Sequence, residues 1–164
     1  MKKLLLSATI LLGLSTCAFA QSTPKNSIGL RFGGNSGLGT EISYQRELTR
    51  NNRLEIDLGW RDHNNVDAFK VTGLYQWVWN IEGSFNWFAG AGAGVGTWNY
   101  SESFGGKRYS DNGTFGLLTG TVGVEYNFDI PLQIALDLRP EVYLNDSYRD
   151  GIRADLGIAI RYRF

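Results

Sequence analysis

The sequence has little of what most functional classes need. Its single cysteine, Cys17, excludes a disulfide framework and a cysteine-rich metal centre. Neither charge sign is in excess, with 16 Lys+Arg against 16 Asp+Glu. That balance excludes a basic nucleic-acid-binding surface and an acidic tail. Mean hydropathy is only −0.21, and no apolar run reaches the roughly 20 residues of a spanning helix, so a bundle of membrane helices is excluded as well. Proline is scarce at 3 residues, whereas glycine reaches 21 and aromatics 13%. That aromatic content argues against disorder. At 164 residues the chain has room for one domain.

Residues 1–20 read as an address. Met1-Lys2-Lys3 is a short basic start, Leu4 to Leu14 is apolar, and Ala18-Phe19-Ala20 offers the small-x-small pattern of a cleavage site before Gln21. The stretch Leu14-Ser15-Thr16-Cys17 loosely resembles a lipobox, but Thr16 is a poor residue before a modified cysteine. Removal of residues 1–20 as a signal peptide takes away Lys2, Lys3 and Cys17. The expected mature domain, 21–164, then has no cysteine, which suits an exported protein that does not rely on disulfides.

After residue 21 no helical periodicity stands out. Period-2 alternation recurs in eight segments of about 9–12 residues, the length a tilted strand needs to cross a bilayer. The third is the clearest: Leu54, Ile56, Leu58 and Trp60 alternate with Glu55, Asp57, Gly59 and Arg61. In the fifth, Phe85, Trp87, Ala89, Ala91, Ala93 and Val95 stand opposite a glycine ladder at 90, 92, 94 and 96. Connections after the second, fourth and sixth segments are tight: Thr49 to Asn52, Ile81 to Ser84, and Asp129 to Pro131. The others are looser, and the longest runs from about Asn99 to Asn112. The expected fold is all-β, an eight-stranded antiparallel up-and-down transmembrane β-barrel.

Alternation alone does not say which face is outside, because a soluble lipocalin-like barrel has the same period with its apolar set inward. Aromatic placement favours a lipid-facing apolar set. Tyr44, Trp77, Trp79, Phe85, Trp87, Tyr126, Phe128, Tyr162 and Phe164 lie at the tight-turn end. Phe32, Trp60, Phe69, Trp98, Phe115 and Tyr143 lie at the loop end, with Leu, Ile, Val and Ala between. Two aromatic belts around an aliphatic band match the two membrane interfaces.

The other face carries Arg31, Arg61, Lys70, Arg139, Arg153, Arg161 and Arg163 against Glu41, Glu55, Asp57, Glu125, Asp137, Glu141 and Asp155. Seven charges of each sign can pair inside a narrow lumen. Arginine dominates over lysine there, as confined multidentate pairing requires. Glycines opposite long arginines are expected to make room, since eight strands enclose a space only wide enough for side chains. Pro140 cannot donate to a ladder and is expected near the loop-side rim, at a bulge.

The chain ends Ile160-Arg161-Tyr162-Arg163-Phe164, a strand stopping on an aromatic. With its export signal, eight segments and terminal Phe164, it resembles small outer-membrane barrels of the OmpA transmembrane-domain and OmpX type. The resemblance implies that Tyr162 and Phe164 form the signal read by the barrel-assembly machinery. The glycine usual five residues before the end is Ala159 here.

These readings lead to a monomer in the outer membrane, with both mature ends periplasmic. Its partners would be membrane lipid and lipopolysaccharide, the assembly machinery during insertion, and an unnamed partner of the extracellular loops. No cofactor, nucleic acid or metal is expected: Asn145, Asp146 and Asp150 do not match a dedicated calcium loop. The role is envelope-structural or surface interaction, with a charge-filled, closed lumen. Two rivals stay open, a soluble binder of an apolar ligand and a lipid-A-modifying enzyme using His63 beside Asp62 and Asp67. The enzyme reading lacks a serine next to the histidine.

Overall fold

The computed structural model describes residues 24–33, 39–63, 66–104, 107–144 and 152–164, without the side chains of 61–63, 66, 101–104 and 107–110. The expected signal peptide lies outside the described residues. Eight strands follow one another: β1 (Asn26–Gly33), β2 (Gly39–Glu47), β3 (Asn52–His63), β4 (Val66–Glu82), β5 (Phe85–Phe104), β6 (Lys107–Asn127), β7 (Leu132–Tyr143) and β8 (Ile152–Arg163). Each pairs antiparallel with its neighbours, and β1 pairs with β8 to close the barrel. Closure runs from Ser27↔Arg163 to Gly33↔Gly157, and backbone bonds between Asn26 and Phe164 seal its end.

Both chain ends of the barrel and the three tight connections share one rim. There Gly83, at φ 55°, turns β4 into β5, a left-handed conformation that glycine adopts without a Cβ penalty. At the opposite end the strands differ from the sequence expectation. β4, β5 and β6 have 17, 20 and 21 residues, so Asn99–Asn112, expected as a loop, is mostly a two-stranded ribbon. Pairing continues unbroken from Trp98↔Gly113 to Phe104↔Lys107. Thr97, Trp98, Tyr100 and Phe104 are residues that favour pleated backbone, and their strand content outweighs the polar Ser and Asn between them.

Pro140 lies three residues from the loop end of β7 and faces outward. Its missing N–H interrupts the β6–β7 ladder between Thr119↔Glu141 and Val122↔Leu138. The register is the same on both sides of the gap, so the expected bulge does not form. The Thr119 hydroxyl fills in, 3.1 Å from the Pro140 carbonyl and 2.9 Å from that of Gly120.

Faces are inverted relative to a soluble protein. Leu30, Ile42, Leu58, Leu136 and Ile158 point outward and are exposed, while Arg31, Glu55 and Asp137 are buried inside. The interior is divided. Charged side chains come mainly from β1, β2, β3, β7 and β8, whereas Leu74, Phe88, Phe115 and Leu117 form an apolar wall on β4, β5 and β6.

Glycine makes room in two ways. A Cβ on Gly157 would sit 2.5 Å from the Arg31 guanidinium, as expected for a glycine opposite a long arginine. The β5 ladder serves a different purpose: Gly94 and Gly96 abut Leu117 and Phe115, and Gly92 abuts the β4 backbone. The ladder accommodates the apolar wall, not arginines. Ala159 also faces inward, packed with Phe88 and Ala135, so this position accepts a methyl but little more.

Gly157→Val should therefore lower stability by about 1–3 kcal/mol through overpacking. Gly73→Ala, which meets nothing within 4 Å on the outer face, should be nearly neutral. Urea unfolding midpoints in detergent micelles compare the two.

Candidate functional site

Alternation on eight strands aims one residue in two at the barrel axis. Among the described residues, seven carboxylates (Glu41, Glu55, Asp57, Glu125, Asp137, Glu141 and Asp155) are buried there with Arg31, Arg53, Arg139 and Arg161. Half-buried Lys70 joins them.

Arg31, fully buried on β1, reaches three strands. Its Nε and Nη2 hold Asp137 at 3.0 and 2.6 Å, and its Nη1 donates to Asp155 at 2.7 Å and Glu41 at 3.2 Å. Arg139, from β7, crosses the lumen to β3. Its Nη1 meets Asp57 at 2.7 Å and its Nη2 meets Glu55 at 2.5 Å. Arg161 donates through Nη2 to Glu55 at 2.9 Å and through Nε to Ser43 at 2.9 Å. Lys70 ties Glu141 at 2.7 Å to Glu41 at 3.2 Å near the loop end.

Glu55 is the hub. Besides the two arginines it accepts from Gln45 at 2.7 Å, Gln76 at 2.8 Å and Ser43 at 3.2 Å. A carboxylate has about four lone-pair sites, so this one is saturated. Burial of charge is tolerable only under such pairing, because bare desolvation costs several kcal/mol per ion.

Arg53, one residue before the third alternating segment of the sequence, has the same parity as Glu55 and belongs to the lumen set, which the sequence pattern alone omits. It donates to Glu125 at 2.6 Å and to Gln76 at 2.6 Å, and its guanidinium lies 4.7 Å from the Phe88 ring centre. That stacking joins the charged network to the apolar wall.

Two of the expected lumen charges sit elsewhere. Arg153, inward by parity, is exposed at the loop rim, one residue inside the start of β8 at Ile152. Arg163 is half-buried at the turn-end rim beside Lys25, Glu47 and Arg53. The side chain of Arg61 lies outside the described residues.

The turn-end belt is built of ring pairs and small clusters. Trp79 stacks on Trp87 at 4.3 Å, Tyr75 meets Trp77 edge-on at 5.1 Å, and Tyr126 meets both Phe85 and Phe128. Tyr44 and Tyr162 flank β1 at the same level, and Tyr162 stacks with Phe164 at 6.2 Å. The loop-end belt is thinner than expected. Phe32, Trp60 and Phe69 face outward, but Phe115 is buried inside, and Trp98 and Tyr143 occupy inward register positions. Height along the strand alone puts these three in the belt, whereas parity assigns them to the inner face. Tyr143 donates its hydroxyl to Glu141 at 2.9 Å.

His63 ends β3 opposite Val66, and its side chain lies outside the described residues, as do Asn145, Asp146 and Asp150. Among the described residues no group of three His, Cys, Asp or Glu side chains is placed to hold a metal ion.

A closed, all-antiparallel eight-stranded wall with charge inside and aliphatic side chains outside is the transmembrane β-barrel fold, an architecture shared with small outer-membrane barrels. The particular likenesses agree. The N-terminal barrel domain of Pseudomonas aeruginosa OprF superposes with a TM-score of 0.65 at 14% identity, covering 87% of this chain and all of that one. Neisserial surface protein A gives 0.63 at 14% identity, over 85% of this chain and 94% of that one. Ail, the attachment invasion locus protein of Yersinia pestis, gives 0.58 at 18% identity, over 88% and 100%. At such identities the likeness establishes the fold. No protein-family model and no curated protein sequence matches the chain.

Removing the hub should expose what it holds. Glu55→Ala leaves two buried guanidinium groups short of a partner and should destabilise the barrel by about 3–5 kcal/mol. Arg153→Ala at the exposed rim should stay within about 0.5 kcal/mol. Equilibrium urea unfolding in lipid vesicles measures both.

Proposed function

We propose that the chain is an integral outer-membrane protein that acts without catalysis, as an envelope-structural element or a surface-interaction protein working through its loops. The inverted distribution of side chains carries this reading. Leu30 is 42% exposed on the outer wall while its neighbour Arg31 is 0% exposed inside. Water would not tolerate so complete an aliphatic surface, whereas a bilayer requires one. Residues 1–20 are the export signal in this reading, and the rim with the tight turns and both barrel termini is periplasmic.

The lumen supports a closed state. Arg31, Arg139 and Arg161 reach carboxylates on other strands through the interior, and Leu74, Phe88 and Leu117 are buried there as well, which argues against general solute passage. Among the described residues, the ribbon formed by β5 and β6 is the largest structured projection on the loop side. Surface interaction fits that projection, and the fold's neighbours include a surface protein and an attachment protein. Tyr162 and Phe164 serve as the assembly signal, at the strand whose pairing with β1 closes the wall.

Cell fractionation with gel mobility before and after boiling tests the reading. The wild type should partition with the outer membrane and migrate differently when unboiled. Deletion of Phe164 should leave unfolded protein in the periplasm. A wild type that is soluble in the periplasm without detergent would contradict the assignment.

A further inference from the structure

The outer wall is not uniform. At the loop ends of β3 to β6 it dips into a groove of about 600 Å³. Register builds this groove as rows of outward-facing residues. One row runs Trp60, Phe69, Thr97, Thr114 across the four strands. Trp60 and Phe69 are large and stand 48% and 47% exposed, while the two threonines are short. That step in side-chain size makes the dip.

The row nearer the loops is polar: Asp67, Asn99 and Asn112, consecutive cross-strand partners and all exposed. The row nearer the membrane centre is aliphatic, with Leu58, Val71 and Val95, and Val95 is 66% exposed. The outer wall thus grades from carboxylate and amide, through hydroxyl and aromatic in the groove, to hydrocarbon just below it, within three rows. Rows two residues apart on a strand are separated by about 7 Å, so the whole gradient spans roughly one lipid headgroup and the first part of its chain.

Among the described residues, no Lys or Arg lines it. A phosphate in the groove would face Asp67 without a cation to neutralise it, as would a carboxylate ligand. Sugar hydroxyls are suited to it instead. Asp67 accepts, the two amides donate and accept, and a Trp face packs against the C–H surface of a pyranose. A soluble saccharide would gain nothing from the Val71–Val95 strip, whereas a lipid-linked one would lay its first methylenes there.

We propose that this groove binds the sugar–acyl junction of a glycolipid through its uncharged, hydroxylated part. The sugar hydroxyls meet Asp67, Asn99 and Asn112, and the acyl chain follows Thr97 and Val95 toward the membrane centre. The inference rests on the outer-membrane reading and names a ligand for the lipid-facing wall.

The test places the folded protein in phosphatidylcholine nanodiscs. Each disc set also contains one added lipid of equal chain length: monogalactosyl diacylglycerol, phosphatidylethanolamine or phosphatidylglycerol. Lipids retained on the protein are then counted by native mass spectrometry. The galactolipid should be enriched about five-fold over phosphatidylcholine, the gain expected from one or two net hydrogen bonds. Asp67→Ala and the pair Asn99→Ala/Asn112→Ala should abolish that enrichment while keeping the boiling-dependent gel shift. Equal retention of all lipids would overturn the proposal. Preference for phosphatidylethanolamine would do so too, by making Asp67 a partner for ammonium, as would preference for phosphatidylglycerol. A galactolipid enrichment unchanged in every folded variant would place the sugar elsewhere and equally refute it. Wild type that fails to enter the bilayer at all would defeat the outer-membrane reading, and this inference with it.

Discussion

Everything in this barrel depends on the demand that each backbone N–H and C=O within the wall find a partner in the wall. Hydrocarbon offers no water to substitute, so an open edge would leave a row of groups unsatisfied at several kcal/mol each. Pairing of β1 with β8 removes that edge. Once the wall is closed, alternate residues have only two destinations, lipid or lumen, and the rest of the design follows. The interruption at Pro140 shows how strict the demand is, since a hydroxyl from Thr119 reaches the proline carbonyl where the ladder fails.

The lumen answers a second demand, to fill a space too narrow for water to solvate charges freely. It does so in two chemically distinct halves. On one side arginines cross to carboxylates on strands far apart in the chain: Arg31 to Asp137, Arg139 to Glu55 and Asp57. On the other, glycines on β5 let Leu117 and Phe115 approach the strand backbone. Buried ion pairs contribute little net stability over apolar packing. Their geometry is nevertheless specific, because each guanidinium fits only the register that brings its acids within reach. The network thus acts chiefly to select one arrangement of eight strands over slipped ones.

Much of this was legible in the alternation. A single charged parity running through Glu55 and Asp57, or Asp137 and Arg139, shows both the strand and its inner face without reference to a partner. The omissions share a cause. A segment bounded where its apolar set begins leaves out Arg53, although its parity matches Glu55. Height along the barrel puts Trp98, Phe115 and Tyr143 in the belt, but parity decides between belt and lumen. The apolar lining is hidden in the alternation, because Leu74, Phe88 and Leu117 look like breaks in a polar pattern until β4, β5 and β6 lie side by side. The ribbon of β5 and β6 was obscured by its Ser, Asn and Asp residues, which are equally common in loops.

The inverted barrel is best tested by mapping which side chains see lipid. Single cysteines carrying nitroxide labels, placed at Leu30, Ile42, Leu136 and Ile158 and at inward Thr121, can be compared in bilayers for collision with oxygen and with a water-soluble nickel chelate. The four outward sites should favour oxygen strongly, as lipid-exposed positions do, and Thr121 should be shielded from both reagents. Nickel access at the four aliphatic positions equal to that of a solvent-exposed control would contradict the lipid-facing assignment and turn the barrel into a soluble one.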